Sequence, residues 1–451
     1  MINALLSIAY LVFAFLIIKN KGLKRLFYFL LGVVFIPANM RLIPISFFIG
    51  FLLYTSSFIL SLWYHKEFKI EYFSRCPLFK NLLFIFISCM IIGLLNEYKS
   101  PIGGIWEALK YILRTFFLFY VGWFSINKSD ERIGNRFAKI NGNDSLFYTI
   151  IPLTLIVTLY GFATFFTRSN PVLDAVGLED RFLFEGDESY RGFRVTATNI
   201  SSSVYGLFCG IFFMCGTFFC KHKKKIHIVA LSLLIINLFL TGTRAAIIPF
   251  FICISLYLIK YKGISYTIKY SLIGVTSVLI LIPILPSSIT DLVFEILESI
   301  VNAVIPTEAG DEKFGGSSVN LREMQIVAAM EFLKEKPFFG HGIGYTYNVL
   351  MKAGKHESLF GMESYICWIG VEFGLVYAIT IILFFINCIK YFLKNRIYAP
   401  QYAYMGVSLV IMYVVFLCVA WVGDAWYFIM PVLGYITRRI YINKHTVALG
   451  L

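Results

Sequence analysis

Charge is scarce in this chain: Asp, Glu, Lys and Arg make up 15% of its 451 residues, against about 25% in a soluble domain. The apolar share is 59%, with 46 phenylalanines, more than a soluble core absorbs. That shortage excludes a soluble globular protein, and no stretch between the apolar runs is left over for a soluble domain. A basic leader and a small-residue cleavage site are also lacking before Lys19, so the first apolar run reads as retained and not as a cleaved signal. No cysteine falls in a predicted outer loop. Cys76 is placed on the cytoplasmic side and the other eight within apolar runs, which implies no disulfide framework. There is no G-x-S-x-G elbow and no P-loop lysine motif, which counts against a serine hydrolase and a transport ATPase. Among the six histidines, no His pair or His/Cys pair has metal-ligand spacing with supporting carboxylates, so neither a metal nor another cofactor is expected.

What the chain does have is a repeated series of apolar runs near the length that crosses a bilayer, about 20 residues per helix. Spans are predicted over 2–18, 26–40, 42–64, 81–95, 105–126, 146–167, 197–220, 226–242, 245–259, 270–288, 364–388, 401–421 and 425–437. This predicts an all-α integral membrane protein of about 13 (12–14) spans. Three sections follow. Residues 1–287 hold the first ten spans and an Arg-rich loop over 168–196, 288–363 form one long outer loop, and 364–451 hold the last three spans and a short tail. Orientation comes from Lys and Arg, which collect on the cytoplasmic side of short loops. Lys19, Lys21, Lys24 and Arg25 follow the first run, Lys221 to Lys225 the seventh, and Arg438, Arg439 and Lys444 the last. Every such group follows an odd-numbered run, which puts the N-terminus outside and the C-terminus inside. The net charge of +14 is therefore topological, spread over seven edges, and gives no support to nucleic-acid binding.

Three outward segments carry unusual residues. The loop from Arg168 to Val195 uses Arg168, Arg181, Arg191 and Arg194 and no lysine. Arginine offers a rigid fork that grips a phosphate or carboxylate at two points, while surface ion pairing is the bland alternative for each. Arg191 and Arg194 stand apart because they sit at the mouth of the next span, at head-group depth. The second segment is Leu240-Thr-Gly-Thr-Arg-Ala-Ala246, between two runs of about 15 residues. Those runs reach only about 22 Å, so the turn is predicted to lie below the outer surface, with Arg244 inside the membrane zone. A charge there faces a cavity more often than it snorkels to the surface.

The long outer loop has helical periodicity over Leu292 to Val304, an amphipathic helix suited to lie along the membrane. After a polar break from Glu308 to Ser318, a second helix is predicted with Leu321, Met324, Ala328 and Phe332 on one face. Gly340-His-Gly-Ile-Gly344 follows. No strand precedes it, so a nucleotide-binding turn is disfavoured, and a turn that brings backbone N–H groups near an anion is the simpler reading. His356, Glu357, Glu363 and Ser364 come last before the apolar run.

The turn Thr241 to Arg244, the string RGFRVTATN over 191–199, and LREMQIVAAMEFLKEKPFFGHGIGY over 321–345 with the later ESY and VEFGL resemble the bacterial O-antigen polymerase and ligase superfamily. The resemblance covers about residues 145–390 and rests on the order of short motifs. It implies a type C-like membrane glycosyltransferase, metal-independent and facing the periplasm of the bacterial inner membrane. Its substrate would be an oligosaccharide on undecaprenyl pyrophosphate. It also implies a polysaccharide chain-length regulator, or co-polymerase, as a candidate partner besides the bilayer. The pyrophosphate would be held by Arg191, Arg194, Arg244 and Arg322. Glu363 is the first choice for the base and His356 the second, with helix capping as the bland alternative for Glu363. Ligases of the superfamily commonly carry a His-Asn pair where this chain has Glu363-Ser364, a departure that favours a polymerase over a ligase acting on lipid A-core. A flippase for lipid-linked oligosaccharide is the reading from another class, disfavoured because no internal repeat is evident and the polar groups gather at the outer edge.

Overall fold

The computed structural model describes residues 2–35, 49–126, 145–175, 194–199, 201–218, 225–281, 318–351, 364–420 and 426–448, with the isolated positions 290, 294 and 298. These residues form helices α1 (Ile2–Lys19), α2 (Gly22–Phe35), α3 (Ile49–Tyr64), α4 (Ile70–Ser74), α5 (Phe79–Leu94), α6 (Pro101–Arg114) and α7 (Leu118–Trp123). Then come α8 (Ser145–Thr167), α9 (Pro171–Ala175), α10 (Ser202–Phe218), α11 (Lys225–Leu240), α12 (Arg244–Lys262), α13 (Ile264–Leu281) and α14 (Ser318–Glu335). A π-helical turn, Thr346–Met351, precedes α15 (Tyr365–Lys394), α16 (Pro400–Val419) and α17 (Trp426–Ala448). No strand occurs among the described residues.

Four helices are individually long and apolar enough to cross a membrane: Ile150–Thr167 within α8, then α12, α15 and α16. The shorter apolar helices Ile8–Lys19, Phe79–Leu94, Ser202–Phe218 and Lys225–Leu240 accompany them. Among the described residues the molecule is thus all-helical, with several helices suited to a multi-pass membrane protein. Backbone polar groups have no water partners in hydrocarbon, which is why the apolar runs fold as helices.

Several predicted spans need correction: the run 270–288 begins earlier, at Ile264, the run 425–437 continues to Ala448, and three others differ in their course. The run 105–126 is two helices, because Thr115 leaves the helical region (φ −121°, ψ −90°) and a turn separates α6 from α7. The run 197–220 begins as an irregular segment, and its helix starts only at Ser202. The run 364–388 continues to Lys394 and is interrupted at Gly374 (φ 68°, ψ −171°).

Two crossings bring helices together backbone to backbone. A Cβ on Gly122 of α7 would stand 1.8 Å from the Pro431 carbonyl of α17, and one on Gly434 would stand 1.9 Å from that of Phe119. Gly93 and Gly104 do the same for α5 and α6, where a Cβ on Gly104 would lie 1.9 Å from the Gly93 carbonyl. Small residues at such contacts let dispersion drive association where the hydrophobic effect between helices is weak. Arg25, one of the basic residues assigned to a cytoplasmic edge, is fully buried. Its guanidinium donates to Glu67 (2.9 Å), Ser61 Oγ (3.2 Å) and the Phe124 carbonyl (2.9 Å), tying α2 to α3 and to the end of α7.

Candidate functional site

The turn between α11 and α12 is built by its own sequence. Leu240 ends α11 and Gly242 takes the left-handed conformation (φ 59°), the αL closure that favours glycine after a helix. Thr241 Oγ1 donates back to the Leu238 carbonyl (2.7 Å) and Thr243 stands extended as the N-cap of α12. Thr243 does not cap with its side chain. Its hydroxyl bonds the Thr241 carbonyl (2.9 Å) and lies 3.1 Å from Ser202 Oγ, the first residue of α10.

Arg194 lies across this turn. A Cβ placed on Gly242 would meet the Arg194 side chain at 3.4 Å, and the Val195 N–H donates to the Leu240 carbonyl (3.1 Å). Two of the sequence-predicted pyrophosphate residues, Arg194 and Arg244, therefore meet at one turn, although 50 positions separate them. Both are half-buried. Arg244 is the first residue of α12, beside the start of α10. Helix N-termini carry partial positive charge and unpaired N–H groups, so two of them together with two guanidiniums make a site electrostatically suited to an anion. Below the turn, buried Asn237 accepts from Tyr205 (2.9 Å) and donates to the Thr158 carbonyl (3.2 Å), fastening α8, α10 and α11.

A second polar cluster joins the loop after α5 to the segment after α14. Helix α15 breaks at Gly374, and the i to i+4 bonds lost there are replaced one for one. The Val371 and Glu372 carbonyls accept from the N–H groups of His341 (2.9 Å) and Gly342 (3.0 Å). The Leu375 and Val376 N–H groups donate to the carbonyls of Pro337 (2.8 Å) and Phe338 (3.1 Å). Buried Glu372 then accepts from the N–H groups of Gly344 (2.6 Å) and Thr346 (3.0 Å). The glycine-rich turn does bring N–H groups to an anion, and the anion is the chain's own carboxylate. Gly340, Gly342 and Gly344 all have positive φ, at 62°, 105° and 88°. A Cβ on Gly340 would also come within 2.5 Å of the Glu372 backbone.

This insertion is clamped by Glu97, which bonds Lys336 (2.7 Å) and His341 Nδ1 (2.8 Å). Burial raises the Glu97 carboxyl, but its bonds to Lys336 and His341 outweigh that and hold it below the ordinary carboxylate value. Lys336 is raised in return, chiefly by the same bond. His341 Nε2 faces the Phe332 carbonyl (3.2 Å), and its ring stacks on Tyr345 at 4.6 Å. Sequence reading missed this cluster. The signal available was the glycine spacing over 340–344 together with Gly374 inside an apolar run.

The remaining predicted residues fare differently. Arg191, His356 and Glu363 lie outside the described residues, as does most of the amphipathic helix expected over Leu292 to Val304. Arg322 is placed on the backbone of α14, and its side chain is not described. The N-cap of α15 falls on Ser364. The face expected on α14 holds at Ala328, which is buried, and at Phe332, which packs with Ala328, Ala329, Cys367 and Val371; it fails at Met324, 55% exposed, and the side chain of Leu321 is not described. Met324 was drawn into the face where Gln325 is the buried residue, because Gln325 is polar. Among the described residues, no three His, Cys, Asp or Glu side chains gather as a metal site would require.

Residues 229–382 match the family model described as O-antigen ligase (Wzy_C). The match runs from α11 through Arg244, α14 and the glycine-rich turn into α15, and it agrees with the superfamily that the motifs resemble. Comparison with curated proteins gave no match. The matched domain supports an O-antigen polymerase or ligase activity broadly and does not separate the two.

Proposed function

We propose that the chain is an O-antigen, or related surface-polysaccharide, polymerase. It transfers the growing glycan from undecaprenyl pyrophosphate to a lipid-linked repeat unit on the periplasmic side of the bacterial inner membrane. The observation that carries this reading is the convergence of Arg194, Arg244 and the starts of α10 and α12 at one turn. A hydroxyl at the non-reducing end of the repeat unit attacks the anomeric carbon of the growing chain. The bond from that carbon to the pyrophosphate oxygen breaks, and undecaprenyl pyrophosphate departs with the electron pair. Forked guanidiniums and helix N-termini stabilise the charge that develops on the departing oxygen, so the reaction proceeds without a metal. Arg191 and Arg322 complete the anion site. Glu363, with His356 as the alternative, takes the hydroxyl proton.

The proposal includes the thirteen-span arrangement with its N-terminus outside, the three sections 1–287, 288–363 and 364–451, and a chain-length regulator as partner. The second reading is the ligase that moves the chain to lipid A-core, favoured by the description of the matched model. Purified protein incubated with lipid-linked repeat units, without nucleotide or metal, is expected to yield a ladder on a gel. Transfer only to added lipid A-core would establish the ligase instead. Repeat-unit lipid moved between leaflets with no new glycosidic bond would establish a flippase.

A further inference from the structure

We propose that Asn170 is a positioning residue for the pyrophosphate site, holding a left-handed turn that lays Arg194 across the Thr241–Thr243 turn. The turn is Thr196 to Asn199, between Arg194 and the start of α10. Its second residue, Ala197, is fully buried and has φ 49°, a conformation in which Cβ crowds the backbone and which a residue other than glycine keeps only when its surroundings impose it. The imposing group is the Asn170 amide. Its Nδ2 donates to the Ala197 carbonyl (2.7 Å) and to Thr196 Oγ1 (3.2 Å). Its Oδ1 accepts from the Tyr160 hydroxyl (2.7 Å) of α8 and from the Leu173 N–H (3.3 Å) of α9.

Asn170 is itself fully buried, and these four bonds use both of its donors and both acceptor positions. One side chain therefore fixes the strained turn to two helices. Arg194 and Val195 enter that turn directly, and Val195 continues the connection by donating to the Leu240 carbonyl. Strain held in place beside an anion-suited site is the arrangement expected where geometry serves binding. Asn170 acts on the site through the segment that carries Arg194, which distinguishes it from the binding arginines.

This inference rests on the pyrophosphate reading of Arg194, and the experiment separates the two. Undecaprenyl pyrophosphate is the probe, and its affinity for the purified full chain in lipid nanodiscs is measured in a cycle of wild type, Asn170→Ala, Arg194→Ala and the double variant. Asn170→Ala is expected to weaken binding about tenfold, and to add nothing once Arg194 is removed. Adding Ala197→Gly to Asn170→Ala is expected to restore most of the affinity, because glycine adopts positive φ without a side chain to crowd. The same combination serves if Asn170→Ala alone fails to fold, and absence of recovery then overturns the proposal. Unchanged affinity in Asn170→Ala, or an equal loss with and without Arg194, would also overturn it. Wild-type affinity in Arg194→Ala would instead refute the pyrophosphate reading itself.

Discussion

Two polar regions of this molecule are built in different ways. Around the break in α15, the described charges are answered from within the chain: Glu97 by Lys336 and His341, and Glu372 by the N–H groups of Gly344 and Thr346. Around the turn between α11 and α12, neutral groups, Asn170, Thr196, Ser202, Thr241 and Thr243, bond one another and the backbone and shape a turn that carries two half-buried arginines. The first arrangement fastens two segments together. The second builds a turn from neutral groups and sets two arginines beside it.

The largest effect expected is on the fastened region. Gly340→Val places a side chain at positive φ and against the Glu372 backbone, so it should destabilise the fold by at least about 3 kcal/mol and reduce folded protein on size-exclusion chromatography. Next comes the arginine region, where stability and activity should separate. Arg244→Lys keeps the charge but loses the fork, and polymer formation should fall by about 10²-fold with an unchanged thermal midpoint. Similar activity from lysine and arginine there would reduce Arg244 to a topological charge.

A smaller effect is expected from pH. The Glu97 carboxyl is depressed in the folded state, so its contribution is present above the unfolded value, 4.5, and is lost as pH falls through the lower folded value. Partial exposure limits that contribution to under about 1 kcal/mol. Thermal midpoints of wild type and Glu97→Gln, compared between pH 7 and pH 3, should converge on acidification. The smallest effect is at Met324, exposed on α14, where Met324→Ser should change stability by no more than about 0.5 kcal/mol.

The two regions were unequally legible in the sequence. Arg194 and Arg244 were singled out because arginine without lysine at a span mouth, and a charge within a short turn, are local signals. Their meeting at Gly242 required the fold. The clamp was not found because its parts are ordinary one at a time: Glu97 is a loop carboxylate, His341 an isolated histidine, and Glu372 one charge in a long apolar run. Only the break at Gly374, which exposes four backbone groups for the inserted segment to bond, gives these residues a common purpose. Apolar run length located the helices but passed over Thr115 and Gly374, since hydropathy is blind to a turn whose side chains stay apolar. The α14 face was drawn correctly at Ala328 and Phe332 and wrongly at Met324 for the converse reason, a buried polar residue at Gln325.

The contrast between the two regions is tested most directly by measuring undecaprenyl pyrophosphate affinity and thermal midpoint together on purified Arg244→Lys and Glu372→Gln. Arg244→Lys should lose affinity at least about tenfold while keeping its midpoint. Glu372→Gln should keep its affinity while losing about 1–3 kcal/mol of stability, because an amide cannot accept both the Gly344 and Thr346 N–H groups as the carboxylate does. Normal affinity in Arg244→Lys, or lost affinity with an unchanged midpoint in Glu372→Gln, would contradict the assignment of binding to one region and fastening to the other.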